Sequence, residues 1–359
     1  MKKILITTGG TGGHIFPALA VADVLTAKGV AVHWLGKKGY LEKKLIEPLY
    51  PVTYIAVQGL RGKGIVKKLI ALWKLGKACM TAFRIMKHRK PDVVLGMGGY
   101  VSGPGSMAAW FARVPLIIHE QNSIPGMTNR LLAKIAASVL QAFPNTFTDQ
   151  KAQTVGNPVR ASLLSLSPSK GCWHLQKRPL RILVVGGSQG AYVINHTIAN
   201  TLAQFEFKGG IAVWHQTGQH DFKTIKETYR KAQISVMTHT FIHNMDEAYG
   251  WADLVIARAG ALTVSEIALV GIASILIPFP YAADNHQWYN ARLLEKIGAS
   301  ITILQSKLSV KTLQPLLRTF MFNKAKLAVM ANAARSMAKP NATREVVSVC
   351  EKYLNLNNT

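Results

Sequence analysis

Short apolar runs alternate with longer amphipathic stretches along most of the chain. The runs are nearly continuous in apolar residues, which is typical of strands that helices cover on both faces of a parallel sheet. The amphipathic stretches between them predict those helices. The expected strands are Ile4–Thr8, Val32–Leu35, Val93–Gly96, Leu116–His119, Arg181–Val185, Ala212–His215, Leu254–Ala257 and Ser274–Ile277.

A strand–loop–helix series of this kind begins twice, at Lys2 and at Leu180, each time with a glycine-rich loop after the first strand. We therefore expect an α/β fold of two doubly wound domains. The turn at Gly156-Asn157-Pro158 marks the boundary, with residues 1–158 in the first domain and 159–339 in the second. A last helix, about residues 340–355, is expected to pack back on the first domain.

Composition narrows the class of protein. Of the 359 residues, 49% are hydrophobic, which indicates a globular protein. The formal net charge is +26, so we expect an anionic partner: phosphates, nucleic acid or an acidic membrane surface. Its three cysteines are scattered, which disfavours a disulfide scaffold or a zinc site and favours a reducing cytoplasm.

The apolar run Ile4–Ile6 is too short for a signal peptide. The apolar segment Ala261–Ala283 contains Glu266 and two prolines, which predicts a helix and then a buried strand instead of a membrane span.

Three glycine-rich loops follow predicted strands: Gly9–His14, Gly96–Gly103 and Gly186–Ala191. Glycine allows backbone N–H groups to approach a ligand, and a helix N-terminus behind the loop favours an anion. None of the loops matches the dinucleotide-binding or P-loop pattern, which disfavours a Rossmann dehydrogenase or a P-loop ATPase. Each loop alone could be a tight turn, but three at strand ends favour a phosphate ligand.

A fourth unit, Ala257–Glu266, follows a strand and opens a helix. Its first N–H groups could meet phosphate oxygens, and the carboxylate of Glu266 could accept both hydroxyl groups of a ribose. The alternative is that Glu266 only favours the dipole of its own helix.

Seven motifs in this order resemble one bacterial enzyme family, the UDP-N-acetylglucosamine–N-acetylmuramyl-(pentapeptide) pyrophosphoryl-undecaprenol N-acetylglucosamine transferases. The resemblance runs from Lys3 to about Arg344. The motifs are Gly9–His14 with Phe16-Pro17, Gly98–Gly103, His119–Asn122, Gly156–Arg160, Gly186–Ala191, Arg258–Glu266 and Asp284–Gln287.

The resemblance implies a GT-B fold, two Rossmann-like domains facing across a cleft, with the donor UDP-N-acetylglucosamine held mainly by the second domain. It implies that the acceptor side includes Gly98, Gly99 and Tyr100. His286 stands where many relatives carry glutamine. The donor-binding residues that it implies are Thr11, Gly12, Gly13, Asn122, Arg160, Ser188, Ile242, Ala261, Leu262, Thr263, Val264, Ser265, Glu266 and Gln287.

The implied reaction is inverting transfer of N-acetylglucosamine to the C4 hydroxyl group of a lipid-linked muramyl-pentapeptide. That hydroxyl group needs a base, for which His14 is the first candidate and Glu120 the competitor, and His14 could instead only position substrate. No D-x-D pair occurs, so we expect neither a metal nor another cofactor. Helix N-termini and Arg160 would then stabilise the leaving diphosphate.

The segment from Lys63 to Lys90 is basic and amphipathic. It predicts contact with an anionic membrane surface, although part of its apolar side also fits a core-packed helix. The cytoplasmic face of the inner membrane is the expected location, with other cell-wall or division proteins as further partners. The residues expected to contact the membrane are Leu69, Leu72, Trp73, Phe83 and Trp110.

Three rival functions remain at this point. The charge favours a nucleic-acid-binding protein, but no recognised module is evident, so nucleic acid is not an expected partner. A passive membrane scaffold leaves the glycine-rich loops unexplained. A UDP-sugar epimerase could share the fold and the donor site.

Overall fold

The computed structural model describes residues 1–57, 65–148, 151–166, 178–187, 190–203, 210–234 and 236–356, with side chains in the helix at 65–89 described from residue 73 onward. The chain divides into two compact units. Unit 1 comprises Met1–Arg160 and Asn341–Thr359, and unit 2 comprises Ala161–Pro340. The first division therefore lies two residues after the expected boundary at 158.

Unit 1 is a parallel sheet with helices between its strands. Within the described residues the strand order is β3-β2-β1-β4-β5-β6-β7. Its elements are β1 Lys3–Thr7, α1 Gly12–Ala27, β2 Ala31–Gly36, a π-helical turn Glu42–Ile46, β3 Val52–Tyr54, α2 Ile65–Arg89, β4 Val93–Gly96, α3 Ser102–Phe111, β5 Leu116–Glu120, α4 Met127–Leu132, β6 Ser138–Gln141 and β7 Ala152–Thr154.

Unit 2 repeats the plan with the strand order β10-β9-β8-β11-β12-β13. Its elements are α5 Ala161–Leu164, β8 Leu180–Val185, α6 Tyr192–Ala203, β9 Ile211–Gln216, α7 Gly218–Lys231, β10 Val236–His239, α8 Met245–Trp251, β11 Leu254–Ala257, α9 Ala261–Val270, β12 Ala273–Leu276, a 3-10 turn Ala283–Asn285, α10 His286–Lys296, β13 Ser300–Thr302, a 3-10 turn Gln305–Lys307, α11 Val310–Phe322 and α12 Lys324–Ser336. The final helix, α13, is Ala342–Leu354.

The central strands are apolar on both faces because both faces are buried. In β1, Ile4 and Ile6 belong to one hydrophobic cluster, whereas Leu5 belongs to the cluster on the opposite face. Val93 and Val94 of β4 divide in the same way. This arrangement is the physical reason for the continuous apolar runs in the sequence.

Helix α13 packs on unit 1. Val346, Val347, Cys350 and Leu354 join the same cluster as Ile4. The Tyr353 hydroxyl group also donates to the carbonyl oxygen of Ala137, 3.1 Å away. Helix α13 thus completes the core that β1 begins.

In both sheets the strand order reverses at the first strand, so later strands are added on its other side. β1 lies between β2 and β4, and β8 lies between β9 and β11. The loops after β1 and β4, and those after β8 and β11, therefore leave the same sheet edge toward opposite faces. Open α/β sheets bind ligands at such points.

The apolar segment Ala261–Ala283 contains α9 followed by the buried strand β12, as the sequence predicts. Among the described residues, no helix is both long enough and apolar enough to cross a membrane.

Candidate active site

Three segments of unit 1 meet at the carboxyl ends of its central strands: the loops after β1 and β4, and the end of β5. Gly98 and Gly99 allow this meeting. Both have positive φ, 81° and 82°. A Cβ atom at Gly99 would collide with the carbonyl oxygen of Gly9, and one at Gly98 would lie 2.9 Å from Nδ1 of His14. Neither position tolerates a side chain.

His14 lies in the first turn of α1 and is partly exposed. Its Nδ1 atom is 3.0 Å from Oε1 of Gln121. The amide nitrogen of Gln121 is 3.1 Å from the carbonyl oxygen of Met97 and 3.2 Å from Nδ1 of His119. His119 is fully buried, with Nε2 2.9 Å from the carbonyl oxygen of Gly156.

Glu120 has a different environment. It is only 2% exposed, and its carboxylate accepts hydrogen bonds from four donors. Oε1 accepts from the backbone and side-chain nitrogens of Asn122, and Oε2 accepts from the backbone of Gly126 and the side chain of Asn129, over distances of 2.9–3.1 Å. A carboxylate satisfied in this way organises the loop after β5 and has little capacity left to accept a substrate proton.

A second buried carboxylate lies under the first glycine-rich loop. Oε1 of Glu42 accepts a hydrogen bond of 3.0 Å from the backbone N–H of Gly10, and Glu42 is 2% exposed. The negative charge of Glu42 occupies the position that a phosphate would take against this N–H group, which disfavours the first loop as a diphosphate cradle.

The other predicted residues of unit 1 surround this centre. Thr11 is the exposed N-cap of α1, followed by Gly12 and Gly13 in its first turn, and Tyr100 is 60% exposed. Arg160 lies with its guanidinium carbon 4.3 Å from the centre of the Phe16 ring. This cation–π contact holds the cation near the start of α1.

In unit 2 the third glycine-rich loop is tied to its neighbours by Gln216, at the end of β9. The side-chain amide of Gln216 donates to the carbonyl oxygen of Gly187 and accepts from the backbone N–H of Ile242, both over 2.9 Å. A Cβ atom at Gly190 would collide with the carbonyl oxygen of Thr217. Ser188 lies outside the described residues.

Helix α9 begins directly after β11 and carries the predicted phosphate and ribose contacts. Gly260 is its N-cap, and Ala261, Leu262, Thr263, Val264 and Ser265 form the first turns. The N-terminus of a helix carries the positive end of the helix dipole, which favours an anion beside it. Glu266 is 5% exposed, and its Oε2 accepts a hydrogen bond of 3.0 Å from the Tyr249 hydroxyl group.

Two polar side chains shape the edge of this region. Oε1 of Gln287 accepts a hydrogen bond of 2.9 Å from the backbone N–H of Phe279. The amide nitrogen of Gln287 is therefore the group that would donate to a sugar hydroxyl group. The guanidinium group of Arg258 donates to the carbonyl oxygens of Ile277 and Pro278 and to Gln305, and burial lowers its pKa to about 10. Arg258 therefore fixes the end of β12.

The predicted membrane residues differ among themselves. Trp73 is 68% exposed with Lys77 Nζ 5.6 Å from its ring, and Trp110 is 47% exposed against Phe111. Phe83 packs partly against the hydrophobic core, as the core-packed alternative predicts. The side chains of Leu69 and Leu72 lie outside the described part of the chain.

Across the ranges that the structure describes, no three His, Cys, Asp or Glu side chains lie together in a manner that could hold a metal ion.

Several supporting residues had no predicted role. Gln121 stands inside a quoted motif, whereas Glu42, Gln216 and Tyr249 do not. Gln216 had a usable signal, since it is a polar residue at the carboxyl end of a buried strand. Tyr249 and Glu42 had none, because their partners are distant in sequence.

Comparison with known proteins identifies the family. Residues 4–141 match the glycosyltransferase family 28 N-terminal domain, and residues 181–346 match the C-terminal domain of that family. A protein of Coxiella burnetii (strain Dugway 5J108-111) is 51% identical over 354 residues, covering 98% of this chain and 99% of its own. It is named UDP-N-acetylglucosamine–N-acetylmuramyl-(pentapeptide) pyrophosphoryl-undecaprenol N-acetylglucosamine transferase. The chain belongs to this family of glycosyltransferases.

Further relatives of this transferase family agree. A protein of Shewanella oneidensis with the same name is 45% identical over 97% of both chains. The crystal structure of Acinetobacter baumannii MurG covers 98% of this chain and 100% of its own, with 38% identity and a TM-score of 0.81. The resemblance seen in the sequence and the GT-B fold class are thereby confirmed. A Neisseria meningitidis UDP-GlcNAc 2-epimerase, 12% identical with a TM-score of 0.64 and full coverage of its own chain, shares the fold alone.

Proposed function

We propose that this glycosyltransferase moves N-acetylglucosamine from UDP-N-acetylglucosamine to the C4 hydroxyl group of undecaprenyl-diphosphoryl-N-acetylmuramoyl-pentapeptide. The product is the lipid-linked disaccharide precursor of peptidoglycan. The observation that carries the proposal is the 51% identity over nearly the whole chain to a transferase named for this reaction. The local geometry of both units supports it.

Unit 2 binds the nucleotide part of the donor. The loops after β8 and β11 lie at the point where the sheet changes direction, and α9 directs its first N–H groups from its N-terminus. Glu266, oriented by Tyr249, accepts the ribose hydroxyl groups. The backbone of Ile242 contacts uracil. Since its N–H group donates to Gln216, the contact is made by its carbonyl group. Ser188, Gln287 and Arg160 complete the donor contacts, as do Thr11, Gly12, Gly13 and Asn122.

His14 is the base, in preference to Glu120. The carboxylate of Glu120 is buried and accepts four hydrogen bonds, whereas His14 is partly exposed at the start of α1. Nε2 of His14 takes the proton from the C4 hydroxyl group as that oxygen attacks C1 of the donor sugar. The bond from C1 to the phosphate oxygen breaks, UDP leaves, and C1 inverts. Gly98 lies beside His14, and Gly98, Gly99 and Tyr100 contact the acceptor.

The leaving diphosphate is stabilised without a metal ion. Its developing charge is met by the N–H groups of α9 and by the guanidinium group of Arg160, and each well-aimed donor contributes roughly 3 kcal/mol to the transition state. Thorough chelation should leave the transfer rate unchanged, and restoration of a lost rate by added magnesium would refute this part.

The acceptor is lipid-linked, so the enzyme works at the cytoplasmic face of the bacterial inner membrane as a peripheral protein. The exposed Trp73 with Lys77 beside it on α2, together with the exposed Trp110 on α3, favours an anionic surface.

The deciding experiment supplies UDP-N-acetylglucosamine labelled in the sugar together with a synthetic muramyl-pentapeptide diphosphoryl lipid. Transfer of the label to the lipid, with loss of transfer when the C4 hydroxyl group is replaced by hydrogen, supports the proposal. Epimerisation of the donor in the absence of any lipid would instead favour the epimerase.

A further inference from the structure

We infer that Gln121, held in one orientation by His119 and by the carbonyl group of Met97, is a positioning residue that fixes which ring nitrogen of His14 carries its proton. The inference rests on the proposed function, because it concerns the residue proposed as the base. It adds to that function two residues, Gln121 and His119, whose effect reaches the substrate only through His14.

The direction of the hydrogen-bond chain is set at His119. Its Nε2 atom lies 2.9 Å from the carbonyl oxygen of Gly156, and a carbonyl oxygen can only accept, so Nε2 carries a hydrogen. Complete burial lowers the pKa of His119 to about 4, so the ring is neutral at pH 7. A neutral imidazole has one N–H group, which leaves Nδ1 of His119 as an acceptor.

Gln121 must therefore present its amide nitrogen to this side. Two acceptors face that nitrogen, Nδ1 of His119 at 3.2 Å and the carbonyl oxygen of Met97 at 3.1 Å. The amide NH₂ group has two donors and satisfies both. A flipped amide would direct its oxygen at two acceptors and lose both hydrogen bonds, so the orientation follows from chemistry and not only from atom placement.

The oxygen of Gln121 then faces His14. Oε1 lies 3.0 Å from Nδ1 of His14 and can only accept, so Nδ1 carries the hydrogen. In the neutral ring the lone pair is consequently on Nε2, the nitrogen directed away from Gln121. The base needs a lone pair on the atom that meets the hydroxyl group, and this chain places it on Nε2.

Gly98 keeps the ring of His14 in register with Gln121. A Cβ atom at residue 98 would lie 2.9 Å from Nδ1 of His14 and 3.2 Å from Oε1 of Gln121, inside the space that their hydrogen bond occupies. The hydrogen bond between His14 and Gln121 therefore requires a glycine at position 98. The proposed acceptor contact at Gly98 and the orientation of the base depend on the same backbone position.

The test compares Gln121→Met, Gln121→Glu and a control, Gln141→Met, in the full-length protein. Gln141 is another buried glutamine at a strand end of unit 1, and it bonds to Thr154 and Phe147 instead of to His14. The tautomer of His14 is read from the nitrogen chemical shifts of selectively ¹⁵N-labelled histidine. The His14 signals are assigned by their absence in His14→Ala.

In the wild type and in Gln141→Met we expect His14 to show a protonated Nδ1 and a bare Nε2. Gln121→Met, which has no oxygen for Nδ1, should populate the opposite tautomer and lower kcat by about 10- to 100-fold with little change in KM for the donor. Gln121→Glu loses both NH₂ donors to His119 and Met97, as Gln121→Met does, but it keeps an oxygen for Nδ1 of His14. It should therefore retain the tautomer and more of the activity than Gln121→Met.

An unchanged tautomer of His14 in Gln121→Met would overturn the inference, as would a bare Nδ1 in the wild type. If Gln121→Met does not fold, the wild-type spectrum still decides the question. A failure of the proposed function has a different signature, since His14→Ala would then keep a nearly normal kcat whatever the tautomer of His14 in the wild type.

Discussion

The side-chain oxygen of Gln216 accepts a hydrogen bond of 2.9 Å from the backbone N–H of Ile242. The other end of the same amide donates to the carbonyl oxygen of Gly187, so one buried side chain joins the loop after β8 to the turn after β10. Both places are proposed to contact the donor, through Ser188 and through the backbone of Ile242. Gln216 therefore fixes their separation without needing to touch the nucleotide.

Gln216→Met should weaken donor binding more than it slows transfer. It removes two hydrogen bonds from main-chain groups, each contributing about 1 kcal/mol, so KM for UDP-N-acetylglucosamine should rise roughly 10- to 30-fold while kcat changes little. Steady-state kinetics measures both constants. Gln153→Met, on the exposed side of the edge strand β7, serves as the control, and an unchanged KM in Gln216→Met would contradict the prediction.

His14→Ala should lower kcat by roughly 10²- to 10⁴-fold, the usual contribution of a general base, and leave the affinity for UDP unchanged. Transfer kinetics and calorimetric titration with UDP test the two parts separately. His220→Ala, at an exposed histidine near the start of α7, is the matched control. A kcat within a few fold of the wild type would remove His14 from the role of base.

Glu120→Gln should act on stability first. The new NH₂ group would face donors where the carboxylate now accepts four hydrogen bonds, so the free energy of unfolding should fall by about 2–4 kcal/mol. Urea unfolding measures this loss. A variant of unchanged stability with kcat as low as that of His14→Ala would instead make Glu120 the base.

Neutralising Lys74 and Lys77 should weaken attachment to anionic vesicles. Both lysines are exposed on α2 near Trp73, and each basic residue near anionic lipid contributes about 1 kcal/mol, so the double glutamine variant should bind roughly 30-fold less. Co-sedimentation with vesicles rich in phosphatidylglycerol measures the effect. Lys223 and Lys226 have the same spacing on α7, and Lys226 lies over an aromatic ring as Lys77 does. An equal loss from neutralising that pair would contradict a specific role for α2.

Acid should destabilise the fold through three histidines that are buried or half-buried. Burial lowers the pKa of His33 and His119 to about 4 and that of His215 to about 3, whereas in the unfolded chain each titrates near 6.5. Above pH 6.5 these residues are neutral in both states and their full contribution is present. As the pH falls from 6.5 toward 4 the unfolded state binds protons first, so each histidine costs about 1.4 kcal/mol per pH unit.

Urea unfolding at several pH values between 7 and 4.5 measures that slope. His33→Gln should reduce the slope by the contribution of one proton, with little change at pH 7, because His33 is only partly buried and makes one side-chain hydrogen bond, to Thr53. An unchanged slope would show that His33 does not titrate as its burial implies.

The sequence predicted the framework of the fold well, because burial on both faces leaves a strong pattern. The strands at Val93–Gly96 and Leu254–Ala257 have the expected bounds, and the helix at Ala342–Leu354 lies within the expected range of about 340–355. The edge strands β3, β7 and β13 are only three residues long and partly polar, so no apolar run marks them.

The site was predictable to the level of motifs but not of contacts. The glycine-rich loops and His14 follow from local residue types. The satisfied carboxylate of Glu120 and the engagement of Gly10 by Glu42 depend on pairs of groups that only the folded chain brings together. Phe83 illustrates the same limit, since an amphipathic pattern does not distinguish a side that faces the core from one that faces lipid.

The membership of α13 in unit 1 has a consequence for synthesis on the ribosome. The residues of unit 2 form one continuous stretch, Ala161–Pro340. The hydrophobic cluster around β1 and α1, in contrast, is completed only by Val346, Cys350 and Leu354 of α13. The nascent amino-terminal half therefore keeps an apolar face uncovered until residues 342–354 have been synthesised. A frameshift or stop codon before residue 342 would leave that face exposed and direct the product to chaperones and proteases.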